Sequence, residues 1–356
     1  MYIDEERGTL HFKIVCWGPG IVGRTSSVDA VQPWSRESTS YQEFFRLSIV
    51  DWQELPDEAP RIQLHVVIQG NVNPMECRRQ VLMDVDAVLC VWDSQRPRDE
   101  ANQAVLEWLG SFLSEQGRDV RDLHLVHQYN KRDLGGSEGV GRISVAEHET
   151  TLNPDGRPSF GSVARLGIGV HAAFRTLVRS LLGSQRCLHV RAPSGSELEA
   201  RLTRWLDDQR QEQRHRLRTK LEENLSEVIT PAPVDDIIAD CFDHGRLLFQ
   251  AGERSGDWLR ILHDEDLTEL GTRLSEELNT DTLVTWQQRL PSLASLELWS
   301  SGELQRQCSS STADGDQESF DETELRRTCA SLGVELPPPP RAWRLLRSEE
   351  PPASID

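Results

Sequence analysis

The feature that most constrains the fold is a strand that runs straight into a glycine turn and then a helix start. Residues 11–17 (HFKIVCW) form an apolar, β-prone run. Gly18-Pro19-Gly20-Ile21-Val22-Gly23-Arg24-Thr25 follows at once, and residues 25–31 can begin a helix. In that order, the three pieces are the setting of a phosphate-binding loop, where successive backbone N–H groups and a helix N-terminus surround a phosphate. Further apolar runs at 62–68, 87–92 and 123–129 repeat the strand pattern, with an amphipathic helix over 101–113. A last strand at 162–164 and a helix at 171–182 complete it. The pattern predicts an α/β domain on a mostly parallel, six-stranded sheet with helices on both faces, ending near Gly183.

The loop carries chemistry as well as geometry. Gly18, Gly20 and Gly23 let the backbone approach a phosphate, and Thr25 stands where such loops place their Mg²⁺ ligand. Arg24 occupies the position at which a Lys is expected. Its planar fork keeps the charge but is larger than an ammonium, so phosphate binding should weaken and hydrolysis weaken more. The second motif is Asn130-Lys131-Arg132-Asp133, directly after the strand predicted at 123–129. Asn130 is suited to brace the phosphate loop, the Lys131 stem to lie over a base, and the Asp133 carboxylate to accept from guanine N1 and N2. Adenine does not offer that two-donor edge. The segment 163–170 (VARLGIGV) resembles the last guanine loop of GTPases, a likeness that implies that the Ala164 N–H is offered to the guanine oxygen.

With these motifs in hand, the segments 13–25 (KIVCWGPGIVGRT), 93–102 (DSQRPRDEAN) and 114–134 (SEQGRDVRDLHLVHQYNKRDL) resemble the MglA family of bacterial Ras-like GTPases, over roughly residues 8–183. The resemblance implies a Ras-like P-loop GTPase fold and a cytoplasmic switch in cell polarity and gliding motility. It also implies GTP/GDP and Mg²⁺ as cofactors and a Roadblock-fold homodimer that turns the switch off. A Roadblock protein or another MglA-like GTPase is the partner expected. Three departures from the family pattern fall on phosphate chemistry. Arg24 replaces Lys. The first switch, about 36–46 (RESTSYQEFFR), has no clean equivalent of the family's catalytic Arg and Mg²⁺-binding Thr, although Thr39 could shift into place. The second reads Gln69-Gly70-Asn71: Gly70 can still offer its amide to a γ-phosphate, but Asn71, the candidate for orienting water, is one methylene shorter than the family's Gln. The leading expectation is therefore a degenerate GTPase that binds guanine nucleotide weakly or statically and acts through protein contacts. The alternatives are an active switch completed by a partner in trans, and a nucleotide-free scaffold whose phosphate site Arg24 fills.

A formal charge of −19 argues against a nucleic-acid-coating surface. Seven cysteines without a CxxC pair suggest neither a zinc site nor a disulfide framework, which fits a reducing cytoplasm. The first residues are acidic where a secretory signal is basic, and no apolar run is long enough to span a bilayer.

Beyond residue 187 the character changes, and the expected division is 1–187 for the GTPase-like domain, 188–299 for a regulatory or interaction domain, and 300–356 for a disordered acidic and Pro-rich tail. The second domain is expected to be mainly helical or α+β. A capping box at 194–197 precedes a long charged helix to about 229, with Leu198, Leu202, Leu217, Leu221 and Leu225 on one seam. That helix is either a coiled-coil arm or a solvated helix packed at its ends. A hairpin is expected over 237–250, then helices at 265–278 and 280–290, an order that is also that of a Roadblock-like module. The basic, apolar segment 341–347 (RAWRLLR) is either a tail that packs back or a docking peptide.

Overall fold

A computed structural model describes residues 2–4, 9–31, 40–42, 45–52, 61–69, 75–135, 141–183, 185–191, 196–225, 232–243, 250–255, 258–262, 267–288, 293–309, 322–332, 334 and 336. The first unit runs β1 (Tyr2–Asp4), β2 (Thr9–Trp17), α1 (Arg24–Val31), β3 (Ser40–Gln42), β4 (Phe45–Trp52), β5 (Arg61–Gln69) and α2 (Met75–Leu82). It continues through β6 (Ala87–Asp93), α3 (Asp99–Glu115), β7 (His124–Asn130), α4 (Val145–Leu152), β8 (Ser159–Gly161) and α5 (Val170–Leu182). Its sheet has the order β3-β4-β5-β2-β6-β7-β8, with β1 paired to β2. The pairs from β5 through β8 are parallel, whereas β3, β4 and β1 join antiparallel.

The central strands are largely buried because both faces are covered, as in other parallel sheets, and most of their buried positions are apolar. Phe12, Ile14 and Cys16 of β2 point to the α1 and α5 side, where Val28, Phe174 and Leu177 pack on them. Val15 and Trp17 point the other way, into a core closed by Val81, Leu109 and Phe112 of α2 and α3. The sheet has eight strands because of the short β1 and β3. The strand expected at 162–164 sits slightly earlier, as β8, and Ala164–Leu166 is a 3-10 turn.

The second region contains β9 (Gln185–Arg191), α6 (Ser196–Leu225), α7 (Val234–Ile238), a π-helical turn at Ala239–Asp243, β10 (Gln250–Ser255), β11 (Trp258–Leu262), α8 (Leu267–Leu278), β12 (Asp281–Gln288), β13 (Leu293–Ser300), β14 (Glu303–Ser309) and α9 (Glu322–Ser331). Six of these elements form an antiparallel sheet in the order β10-β11-β9-β12-β13-β14. On one face, Gly271 of α8 lets the helix approach Val284 and Leu188, since an added Cβ would lie 2.7 Å from Val284. On the other, Leu325 and Cys329 of α9 pack with Leu283, Leu296 and Trp258. The region is therefore α+β rather than mainly helical.

Three expectations are corrected. Residues 281–288 are a strand, not a helix, because Leu283 and Val284 face opposite helices in a period-2 pattern. Residues 234–243 are helical, with Ile237, Ile238, Cys241 and Phe242 buried together, so the first arm of the expected hairpin does not exist. A hairpin is instead formed by β10 and β11, just ahead of α8. Residues 303–309, expected to be disordered, pair with β13 as β14. The tail segment 341–347 lies outside the described residues. Among the described residues no helix is long and apolar enough to cross a membrane.

Candidate functional site

The loops that leave the C-terminal ends of β2, β6, β7 and β8 gather at one edge of the first sheet, where open α/β sheets place their ligands. The first, from Gly18 to Gly23, is shaped by close approaches. A Cβ on Gly18 would stand 2.1 Å from the Val91 carbonyl oxygen, and one on Gly23, where φ is +94°, would stand 2.3 Å from Asn130 Nδ2. Ile21 takes the left-handed conformation at φ 66° although it is β-branched, and its side chain is 77% exposed. Such a residue is strained, and the surrounding loop must hold it there. Ser27 closes the first turn of α1 by donating from both N and Oγ to the Gly23 carbonyl.

Arg24 opens α1 and is only 5% exposed. Its Nη1 is buried and has no hydrogen-bond partner among the described residues. Burial drives its pKa down to about 10, with the Cys16 thiol pulling it up and the Arg78 guanidinium pushing it further down. At neutral pH it is still a cation, held in a place where a donor remains unmet. Thr25, beside it, is exposed at the start of the helix.

Asn130, at the end of β7, ties three segments together. Its Nδ2 donates to the Val22 carbonyl at 2.7 Å, and its Oδ1 accepts from the Ala164 N–H at 2.9 Å and from Ser162 Oγ at 3.1 Å. The Ala164 amide, offered by the sequence to a guanine oxygen, is thus engaged with Asn130, and a base oxygen would share it. Behind them, Gln128 Nε2 donates to Ser27 at 2.8 Å and to Ser162 at 3.0 Å. Lys131 has φ 64°, and its Nζ meets the buried Asp93 carboxylate at 2.7 Å. Asp133 is 3% exposed, and its Oδ2 accepts from Arg165 Nε at 2.8 Å.

The structure brings Gly18, Gly20, Gly23, Arg24 and Thr25 to one loop and Asn130, Lys131, Asp133 and Ala164 to two neighbouring ones, with Asn130 as the link. Gly70, Asn71 and Thr39 lie outside the described residues. Residues that motif reading did not single out hold the loops in place. Asp93 also lies 3.9 Å from Arg98, whose Nη2 donates to the Gly20 carbonyl at 2.6 Å. Asn102 fastens both backbone groups of Asp93, accepting from its N–H and donating to its carbonyl. Asp93 therefore joins the phosphate loop, through Arg98, to the base-reading loop, through Lys131. Asp93, Arg98 and Asn102 all lie in the segment 93–102, whose acidic first residue at the end of an apolar strand was the available signal.

Among the described residues there is no cluster of three or more His, Cys, Asp or Glu that would hold a metal by itself. The Mg²⁺ expected from the motif would have to share Thr25 with phosphate oxygens. No protein-family model matches the chain. It is 30% identical over 195 residues to the mutual gliding-motility protein MglA of Myxococcus xanthus (strain DK1622), in a match that covers 51% of this chain and 95% of that relative.

Proposed function

The chain belongs to the MglA family of Ras-like GTPases, and on that premise we propose that it binds guanine nucleotide in the first unit and hydrolyses it slowly or not at all. The observation that carries the proposal is Arg24. A buried, charged donor left unmet costs several kcal/mol, and the phosphate of a nucleotide lying in the loop would meet it. The amides of the glycine loop and the first turn of α1 would add the remaining donors. Asp133 would accept from guanine N1 and N2, and the Lys131 stem would cover the base.

Slow turnover follows from the shape of Arg24. A guanidinium that occupies a phosphate site cannot act as a compact charge between two phosphate groups, so charge that develops on transfer is poorly stabilised. Bound Mg²⁺ would neutralise phosphate oxygens, and the Thr25 hydroxyl would serve as one of its ligands. The unmet Nη1 also speaks against a collapsed, nucleotide-free loop, because a collapsed site would have supplied a partner. The output would then be binding to other proteins in a cytoplasmic polarity or motility system, with a Roadblock-fold protein or a second MglA-like GTPase as the partner.

Isothermal titration with GDP, GTP and ATP, run beside phosphate release, tests this reading. The expected result is binding of GDP and GTP but not ATP, with little phosphate released. Rapid unaided turnover would overturn the slow-hydrolysis part, and steep acceleration by a Roadblock dimer would make the protein a switch completed in trans.

A further inference from the structure

The base-reading loops are held from behind by a segment that belongs to the second half of the chain. Arg132, between Lys131 and Asp133, has a side chain only 1% exposed. Its Nε and Nη2 both donate to Asp240 Oδ2, at 2.9 and 2.5 Å, and its Nη1 donates to the Ile143 carbonyl at 2.7 Å. Arg142 meets the same Asp240 oxygen at 3.1 Å and donates to the Arg132 carbonyl. The Ala232 N–H donates to the Asp133 carbonyl at 2.8 Å.

The neighbouring loop is held in the same way. A Cβ on Gly161 would lie 2.0 Å from the Asp240 carbonyl oxygen, so the π-helical turn rests on the end of β8 with no room for a side chain. Lys220 Nζ donates to the Leu166 carbonyl at 3.0 Å, and Arg165 reaches the Asn224 carbonyl at 3.4 Å while paired with Asp133. Val163 and Ile168 pack with Leu221, Leu225, Ile237 and Phe242 in one apolar cluster. The C-terminal end of α6 is thus packed on the first unit. The two loops are themselves joined, since the Arg132 N–H donates to the Ser162 carbonyl at 3.1 Å.

We propose that residues 217–225 and 232–243 form the back wall of the guanine site, and that Asp240 is a positioning residue acting through Arg132. This rests on the nucleotide reading above. Removing the Asp240 charge leaves Arg132 a buried cation without its counter-ion. Arg132 must then move, and Lys131 and Asp133 are its chain neighbours. Among the described residues, the long-range backbone contacts at Gly18–Gly23 come from Val91, Arg98 and Asn130 while this segment touches the base loops, so the effect falls on base recognition rather than phosphate recognition. By linkage, guanine nucleotide must in return strengthen docking of the segment. The nucleotide state would thereby be transmitted to the second half of the chain.

The test is titration of the full chain with GDP and with pyrophosphate, which reports the phosphate loop alone. Asp240→Asn should weaken GDP binding about tenfold, within the range usual for coupled sites, and leave pyrophosphate binding unchanged; Asp240→Glu should restore most of the GDP affinity. Unchanged GDP affinity in Asp240→Asn, or equal loss of both ligands, would overturn the proposal while leaving the nucleotide reading intact. A wild-type chain that binds pyrophosphate but not GDP overturns both. Amide exchange on the wild type decides the matter if Asp240→Asn does not fold. GDP should slow exchange at 232–243 more than in β12, and equal slowing would count against the back wall.

Discussion

Arg24→Met should make the protein more stable and a poorer ligand binder at once. The substitution keeps an unbranched, buried chain and removes the charge. Burial drives the guanidinium well below its ordinary value, to about 10, which corresponds to about 3 kcal/mol of unfavourable burial. Because the folded pKa is the lower one, that penalty is present at every pH below about 10 and is relieved only as the pH rises through it. Imperfect filling by Met takes back about 1 kcal/mol, so the variant should gain about 1–2 kcal/mol. Urea denaturation in nucleotide-free buffer measures this. Repeating it with GDP at about a hundred times its dissociation constant should stabilise the wild type by about 2.7 kcal/mol and the variant by far less. Opposite signs in the two experiments would mark a residue kept for a ligand at a cost in stability. A variant that loses more than about 1 kcal/mol without nucleotide would show that Arg24 has a structural partner and would refute the reasoning.

Three further outcomes are expected. Burial holds His127 and His148 neutral, with pKa lowered from 6.5 to about 3 in each, so stability is full above 6.5 and falls as the pH drops toward 3; each should cost about 1 kcal/mol at pH 5.5. His148, stacked on Tyr129 with neither ring nitrogen partnered among the described residues, is the better probe: His148→Phe should flatten the urea midpoint against pH between 7.5 and 5.5, and an unaltered slope would rule its contribution out. Ile21→Gly should relieve about 1–2 kcal/mol of left-handed strain against about 0.5–1 kcal/mol of added chain entropy, a small net gain in thermal stability; a clear loss would mean that the exposed side chain makes contacts of its own. Gly23→Ala should push Asn130 off the Val22 carbonyl and cost about 1–3 kcal/mol by chemical denaturation, whereas a silent substitution would show that the loop has room to shift.

The first unit was largely legible because its signals are local. β2, the glycine loop and α1 are contiguous, and β5, β6 and β7 are apolar runs that need only be recognised as buried on both faces. The second half was harder to read. In 281–288 the apolar positions are few, and a helix and a strand bury the same handful of residues until the neighbours are known. Likewise 234–243 mixes β-prone Val234, Ile237, Ile238 and Phe242 with four aspartates, and it is helical because it must cover Val163 and Ile168.

What the sequence determined by itself is the phosphate loop and the Asn-Lys-Arg-Asp motif, whose chemistry depends on residue type at fixed spacing along one stretch of backbone. Tertiary structure alone decided that Arg24 is buried with a donor unmet, and that Asp93 and Arg98 tie the two loops together. It also decided that Arg132 finds its counter-ion 108 residues further on, in Asp240. These facts depend on which surfaces meet when the chain packs, and burial and charge pairing between distant residues have no period or spacing to betray them.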